Sequence, residues 1–444
     1  MTDNFKLLSD AEHIRKRFSM YGGSQVVQEE VSFINTEFKK VNIVGGLLKV
    51  INEIIDNSVD EYVRTKGEFA TRIDVDVEAD GTIVVSDNGR GIPAIEVGTP
   101  DGKEYQMVAA FTRARAGSNF DDENRESIGM NGVGSMITFV TSAMFDAKSA
   151  DGKTEVQLVG ENGKIKRVRT KETARKGTTV KFRPDYEFFG MDNIDQSHTD
   201  IIEERVRSLA LAFDNIKFRF NRKAVKLKFA DYFGPGDVFN TEKAIFSITK
   251  SDGSFQSHSL VNGLSVKGGT HIDFFISAVI GNLRDVLKRR RKVDISAARL
   301  KQHLRVHAIV NGFPALKFDS QTKERVTNSN AECRDAIGEF DVSKVVAKLM
   351  KNAELIDEIC AYTRLQDDLN AKKDLGKLEK SKKVKSDKYF AAIGHRTNRI
   401  FVVEGDSASG GLIKCLGRKG NAFYALKGVP LNVLEVSHQK FMAN

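Results

Sequence analysis

Cysteine is scarce in this 444-residue chain: Cys333, Cys360 and Cys415 are the three present, odd in number and far apart. That spacing argues against a disulfide framework and for a reducing compartment. No CxxC and no Cys/His cluster occurs, so no structural zinc site is expected. Proline is also scarce, with six residues. No run approaches the ~18–20 uninterrupted apolar residues of a membrane span. The opening segment MTDNFKLLSDAEHIRKRF lacks the apolar core of a secretion signal. A cytoplasmic protein with no membrane partner is expected. No GxxxxGK[ST] occurs, which excludes a P-loop as the source of any phosphate binding. No Ser/His/Asp hydrolase arrangement and no repeat at solenoid period is visible.

What is present is an ordinary soluble composition, 40% apolar and 29% charged. At roughly 100–200 residues per domain the length fits two to four domains. The 69 Lys+Arg exceed the 60 Asp+Glu by nine, with a pI near 9.2, a balance that weakly favours a polyanionic partner.

Apolar residues at three- and four-residue spacing predict a helix over 44–63: Leu47, Leu48, Ile51, Ile54, Ile55, Val59 and Tyr62. Ile73, Val75 and Val77 alternate with charged residues, a half-buried strand that turns at Asp80-Gly81 into Ile83–Val85. Asn162-Gly163 and Asp252-Gly253 predict two further hairpins. Strands are expected at 245–249 and 306–310, with helices at 135–144, 270–290 and 296–304, and a strand-helix-strand crossover in the second half. Residues 334–372 read as one long helical stretch running into a lysine-dense segment, 372–388. The apolar strand at 400–403 then enters the Gly/Ser-rich loop of EGDSASGG. The layout is α+β. The domain divisions expected are 1–228, 229–372, a basic linker at 373–397, and 398–444.

Several polar clusters can carry chemistry. Glu53, Asn57 and Asp60 share one helix stripe at i, i+4 and i+7. A solvated face explains that spacing equally well; a general base with a hard-cation ligand one turn on is the alternative. Asp87-Asn88-Gly89-Arg90-Gly91-Ile92-Pro93 follows a strand, and its glycines permit close backbone approach to a ligand. GRGIPA is a poor dinucleotide fingerprint, because the strand before it belongs to a hairpin. Gly129-Met130-Asn131-Gly132-Val133-Gly134 precedes a helix, and free backbone N–H groups at a helix start suit phosphates. Lys288-Arg289-Arg290-Arg291-Lys292 fits a helix C-terminus or a DNA backbone equally. His271 reads as structural.

Taken together these segments resemble one family. EIIDNSVDE (53–61), DNGRGIP (87–93), AGSNFDD (116–122), GMNGVG (129–134), KGTTVKF (176–182), GGTHID (268–273), QTK (321–323) and EGDSASG (404–410) occur in the order found in type II DNA topoisomerases, most of all their tailed-phage large subunits. The resemblance implies an N-terminal ATPase α/β sandwich of the type shared with gyrase, heat-shock chaperones and mismatch-repair proteins, then a transducer domain with a βαβ crossover and a long C-terminal helix, then the start of a toprim domain.

The resemblance also implies roles. Glu53 activates water, and Asn57 holds Mg²⁺ against the ATP phosphates. Asp87 takes the adenine amino group, with Asn88, Gly89, Gly91, Ile92 and Thr178 around it. Ser118 and Asn119 contact ribose or phosphates. Gly129, Met130, Asn131, Gly132, Val133, Gly134 and Ser135 form a lid. Gln321, Thr322 and Lys323 reach the γ-phosphate, Lys323 acting with Glu53 in catalysis. Glu404 belongs to a toprim Mg²⁺ site. ATP would close a gate between two copies of the chain around a DNA duplex.

Three departures stand out. The family's RPGMYIG is FSMYGGS here (18–24), and its EGDSAGG is EGDSASG. No DxD follows Glu404, and no region of the DNA-cleaving tyrosine is present. The expectation is a split subunit, its toprim domain completed by another chain and the tyrosine carried by a further subunit, with a piece of a longer chain as the alternative. A chaperone or mismatch-repair clamp is the competing function, one that EGDSASG disfavours. If the chain is phage-encoded, the compartment is the bacterial host cytoplasm.

Overall fold

The computed structural model describes residues 8–100, 102–114, 133–319, 324–380, 386–394 and 398–426; for 38 and 371–380 it describes the backbone alone. Two compact units result, Met1–Arg290 with Ile295–Ile356, and Arg291–Asp294 with Asp357–Asn444.

The first unit begins with helices α1 (Asp10–Lys16) and α2 (Ser19–Gly22) and the hairpin β1 (Gln28–Ile34)–β2 (Glu37–Ile43). Helix α3 (Gly45–Arg64) follows, close to the predicted span. No side chain caps its start. Instead Gly46 N–H donates to Ser24 O at 2.8 Å, and Val44 N–H donates to His198 Nε2 at 2.8 Å. Donors that a helix end leaves unpaired are thus met by tertiary partners. Gly46 is required here: a Cβ would lie 2.6 Å from both the Phe18 ring and Ser24 O.

Next come β3 (Arg72–Val77), β4 (Ile83–Asp87), the small hairpin β5 (Glu96–Thr99)–β6 (Gly102–Tyr105), α4 (Gln106–Thr112), α5 (Gly134–Val140), β7 (Ser142–Asp151), β8 (Thr154–Glu161), β9 (Lys164–Glu172), β10 (Lys176–Pro184), α6 (Gln196–Ala212), β11 (Lys217–Phe220) and β12 (Lys223–Val225). Helix α5 is shorter than predicted, because the chain is already in β7 by Ser142. Eight strands form one sheet in the order β12-β11-β3-β4-β10-β7-β8-β9, antiparallel except for the β3–β11 pair. Register lines up Phe220, Val75, Val85, Val180, Ala147 and Leu158 in one row across it. All six are buried, in one core with α3, α5 and α6. The period-2 pattern puts these residues on one face, and the helices cover it. Edge strand β9 is exposed along its whole length and carries five Lys/Arg, which guards an unpaired edge against other strands.

The unit continues with α7 (Phe229–Phe233), β13 (Asp237–Asn240), β14 (Ala244–Lys250), β15 (Gln256–Val261), β16 (Leu264–Val266), β17 (Gly268–Gly269), α8 (Thr270–Arg291), α9 (Ala297–Gln302), β18 (Leu304–Val310) and β19 (Arg325–Val326). Five of these strands form a second sheet, β13-β14-β18-β15-β16. The Asp252-Gly253 hairpin expected between β14 and β15 does not form, because β18 inserts between them. The crossover therefore runs from β15 through α8 to its parallel neighbour β18, not from β14. Hairpins in this sheet join β13 to β14 and, at Asn262-Gly263, β15 to β16, the latter with φ of 46° and 77°. Two consecutive positive φ values mark the tight turn that favours Asn-Gly. Phe275 of α8 stacks on Phe246 of β14, centroids 3.8 Å apart.

The single helix expected over 334–372 is three: α10 (Asn330–Ile337), α11 (Val342–Leu349) and α12 (Ala353–Lys380). Gly338, at φ 73°, ends α10, and the Asp341 side chain caps α11. In the second unit, β20 (Tyr389–Phe390), β21 (Arg399–Glu404) and β22 (Asn421–Leu426) form a sheet. Strands β21 and β22 are parallel, with α13 (Gly405–Leu416) between them in sequence. No helix among the described residues is long and apolar enough to cross a membrane.

Candidate active site

Helix α3 lies on the sheet beside α5, and the polar residues of its outward stripe meet the start of α5. The Glu53 carboxylate pairs with Lys49 one turn earlier and abuts Gly134. A Cβ on Gly134 would lie 1.7 Å from Glu53 Oε2, so the carboxylate would have to swing aside for any larger residue here. Asn57 Nδ2 donates to Ser135 Oγ at 2.9 Å, and its Oδ1 takes no hydrogen bond from any described residue. Asn57 is exposed, whereas Asp60, expected on the same stripe, is buried, as is Asp56.

Asp87 closes the other end of the site, at the end of β4. Its Oδ1 accepts from Gly89 N–H at 2.8 Å and Thr178 N–H at 3.3 Å, and its Oδ2 from Ser58 Oγ at 3.0 Å. Burial pushes this carboxyl up to about 6, against those three hydrogen bonds and with the Glu61 charge adding to the rise. The loop after it is pinned at several points. Arg90 forks onto Glu61 of α3, Nε at 2.7 Å and Nη2 at 3.1 Å. Burial raises the Glu61 carboxyl, but Arg90 outweighs it and holds the group below its usual range. Ile92 N–H donates to Ser149 Oγ at 2.8 Å, and Ser149 Oγ lies 2.9 Å from Thr178 Oγ1. Ala94 N–H donates to Asp151, whose carboxyl is held down at about 2 by backbone N–H groups of Thr154, Ala94 and Lys153.

Two glycines make this packing possible. Gly91, at φ 77°, would put a Cβ 2.0 Å from Ala150 O; Gly177, at φ 126°, would put one 2.3 Å from Asp87 O.

The structure thus brings Glu53, Asn57, Gly134 and Ser135 together at one place and Asp87, Gly89, Gly91, Ile92 and Thr178 at another, with α3 joining them through Ser58 and Glu61. Val133 lies just before α5. Asn88 is spent on the sheet: its Oδ1 accepts from Arg72 N–H at 2.7 Å and its Nδ2 donates to Thr71 at 3.1 Å. Ser118, Asn119, Gly129, Met130, Asn131, Gly132, Gln321, Thr322 and Lys323 lie outside the described residues. Lys49, Ser58 and Ser149 were not anticipated. Lys49 was legible at i, i+4 from Glu53, whereas Ser149 enters only through sheet register.

Glu404 is exposed at the end of β21, and Asp406 two residues on pairs with Lys388. Among the described residues no group of three or more His, Cys, Asp or Glu is arranged to hold a metal. Lys288, Arg289, Arg290, Arg291 and Lys292 are all exposed. His271 is buried with Nε2 2.7 Å from Ser259 Oγ, and burial pushes it down to about 3, as a structural histidine requires.

Known proteins match this arrangement. The family described as histidine kinase-, DNA gyrase B- and HSP90-like ATPase matches residues 43–187, which include both parts of the site. The DNA gyrase B family matches residues 215–375. The DNA topoisomerase large subunit of Enterobacteria phage T4 is 35% identical over 100% of this chain and 88% of its own. The chain belongs to the type II DNA topoisomerases. DNA topoisomerase 2 of Pisum sativum is 29% identical over 98% of the chain, which spans 32% of that enzyme. Among solved structures, the ATPase region of Saccharomyces cerevisiae topoisomerase II superposes with a TM-score of 0.71 at 26% identity, covering 82% of this chain and 100% of that one. As a topoisomerase matched along its whole length, the chain leaves the chaperone or mismatch-repair alternative without support.

Proposed function

We propose that this chain binds and hydrolyses ATP as the motor subunit of a type II DNA topoisomerase, closing a two-fold gate around a DNA duplex. The observation that carries the reading is the juxtaposition of the Glu53 carboxylate with the start of α5 at Gly134, on the helix that also anchors Asp87. Asp87, ionised, accepts from the exocyclic amine of adenine, while Gly89, Gly91, Ile92 and Thr178 shape the base pocket. Glu53 takes the proton of the attacking water, and Lys49, paired with the carboxylate, aims it. The Asn57 amide oxygen, one turn from Glu53 and bonded to no described residue, is the hard donor that Mg²⁺ prefers, and Mg²⁺ bound there would neutralise phosphate charge. Val133, Gly134 and Ser135 continue the lid that Gly129, Met130, Asn131 and Gly132 begin. Ser118 and Asn119 contact ribose or phosphates, and Gln321, Thr322 and Lys323 reach the γ-phosphate from the transducer domain.

The division into an ATPase domain (1–228), a transducer (229–372), a basic linker (373–397) and the start of a toprim domain (398–444) belongs to the same reading. So does Glu404 as one carboxylate of a DNA-cleavage metal site. A relative named as a large subunit supports further subunits as partners, among them the one bearing the cleavage tyrosine.

Steady-state turnover and nucleotide binding of the wild type and Glu53→Ala test the core of this. The variant should bind an ATP analogue as the wild type does and lose about 10²–10⁴ in turnover. Equal turnover in the two proteins would overturn the assignment. Turnover per chain should also rise with protein concentration and with duplex DNA, as a closing two-fold gate requires.

A further inference from the structure

Arg205 of α6 is buried and bridges three elements that are far apart in sequence. One guanidinium nitrogen donates to Asp56, the buried α3 neighbour of Asn57. The other donates to the backbone carbonyl of Gly263, in the tight turn between β15 and β16. That turn is fixed from both sides. A Cβ on Gly263 would lie 2.4 Å from the Phe213 ring just beyond α6. The Asn262 side chain is buried and bonds three times to the loop after β18: Nδ2 donates to Phe313 O at 2.8 Å, and Oδ1 accepts from Gly312 N–H at 2.9 Å and Phe313 N–H at 3.2 Å. Asn311 of the same loop donates to Ala212 O at the end of α6, at 2.9 Å. Gln321 follows eight residues after Phe313.

We propose that Arg205 is a positioning residue that ties the nucleotide-facing helix α3 to the Asn262-Gly263 turn and the 311–313 loop of the five-stranded sheet, so that this sheet responds to nucleotide through one guanidinium fork. The proposal rests on the ATP reading above. A buried ion pair is in itself poor evidence of stabilisation, because well-packed apolar residues often replace one without loss. The second arm is what sets Arg205 apart. A fork presenting two parallel donors holds two acceptors at fixed separation, which lysine cannot do. A shift of α3 is therefore passed to the turn, and through Asn262 to the loop that leads toward Gln321. Continuity of hydrogen bonds gives the route, and exchange measurements show whether it carries a response.

The test is hydrogen exchange by mass spectrometry on the full chain, with and without a non-hydrolysable ATP analogue, for three proteins. These are wild type, Arg205→Lys, and the paired apolar variant Arg205→Met with Asp56→Leu. In the wild type the analogue should slow exchange over 256–266 and 311–319, by a factor in the roughly 5–150-fold span usual for coupled sites. Both variants should bind the analogue within about threefold of wild type, well under the tenfold that 1.4 kcal/mol represents. Both should lose most of the slowing at those two segments. Arg205→Lys keeps the charge beside Asp56, so it reads the bridge even if the double variant does not fold. Full slowing in Arg205→Lys would overturn the proposal, as would loss of analogue binding in that variant. A wild type that binds the analogue with no slowing at 256–266 would overturn it too. A wild type that binds no analogue would instead sink the ATP reading, and the proposal with it.

Discussion

Asp87 carries an adenine-binding role at a cost to the fold, and Asp87→Asn exposes both sides of that exchange. Its carboxyl sits near 6 where an ordinary aspartate sits at 3.8, chiefly because it is buried. A carboxyl whose folded value is raised holds its proton more tightly folded than unfolded. It therefore weakens the fold progressively as pH climbs from 3.8 toward 6, and the full penalty stands above 6. Two units at 1.36 kcal/mol each make about 3 kcal/mol at pH 7.5, an upper limit. At pH 5, where the folded protein keeps most of its proton, the same arithmetic leaves about 1.5 kcal/mol. Asparagine can still accept from Gly89 and Thr178 and can offer its amide to Ser58. Without nucleotide, Asp87→Asn should therefore be more stable than wild type in urea titrations at pH 7.5. The gain should shrink by about half at pH 5. Binding should move the opposite way, because a charge-assisted hydrogen bond to the base is worth about 1.5–3 kcal/mol. Analogue affinity should fall by one to two orders of magnitude. An equal gain at both pH values, or a less stable variant at pH 7.5, would refute the reasoning.

Other substitutions probe the same structure. Wild-type nucleotide affinity should itself weaken about tenfold per unit of pH below about 6, as Asp87 takes up a proton, when followed by calorimetry in matched buffers. Gly91→Ala must take up φ 77° and a 2.0 Å contact with Ala150 O, so it should lose analogue binding and at least ~1–3 kcal/mol of stability by urea titration. Phe246→Ala removes the ring stacked on Phe275 and should cost about 3–5 kcal/mol by the same measurement, with the nucleotide site, on the other sheet, unchanged in affinity. Arg289→Ala with Arg290→Ala should reduce the slope of log K for duplex DNA against log salt by about 1.8, two contacts at about 0.9 each. An unchanged slope would remove that run from the DNA surface.

Much of the site was legible, and the reasons are local. The seven apolar residues of α3 fix its period, and the period alone places Glu53 and Asn57 on one stripe. Asp87 and the glycines after it announce a tight loop at a strand end. What escaped was set by partners distant in sequence. Asp60 shares the stripe by spacing but is buried in the fold. Asn88 carries a binding residue's chemistry, yet sheet register commits its amide to Thr71 and Arg72. Ser149 reaches the loop only because β7 lies beside β10. In the second half, Asp252-Gly253 has a turn's composition, but β18 arrives from fifty residues downstream and separates the strands it was expected to join. The breaks among α10, α11 and α12 were readable at Gly338 and Asp341, and a uniform Lys/Glu/Ala/Leu composition masked them.

The start of α3 has no cap of its own and borrows one from His198, 154 residues away in sequence. On a ribosome adding about 5–20 residues per second, α6 emerges only some 10–40 s after synthesis begins. Until then the helix bearing Glu53 and Asn57 lacks the partner that completes its first turn. Nascent chains shorter than this hold no assembled nucleotide site, however much of the sheet has formed. Synthesis that stalls before α6 should therefore leave products that neither bind ATP nor compete for it with finished subunits.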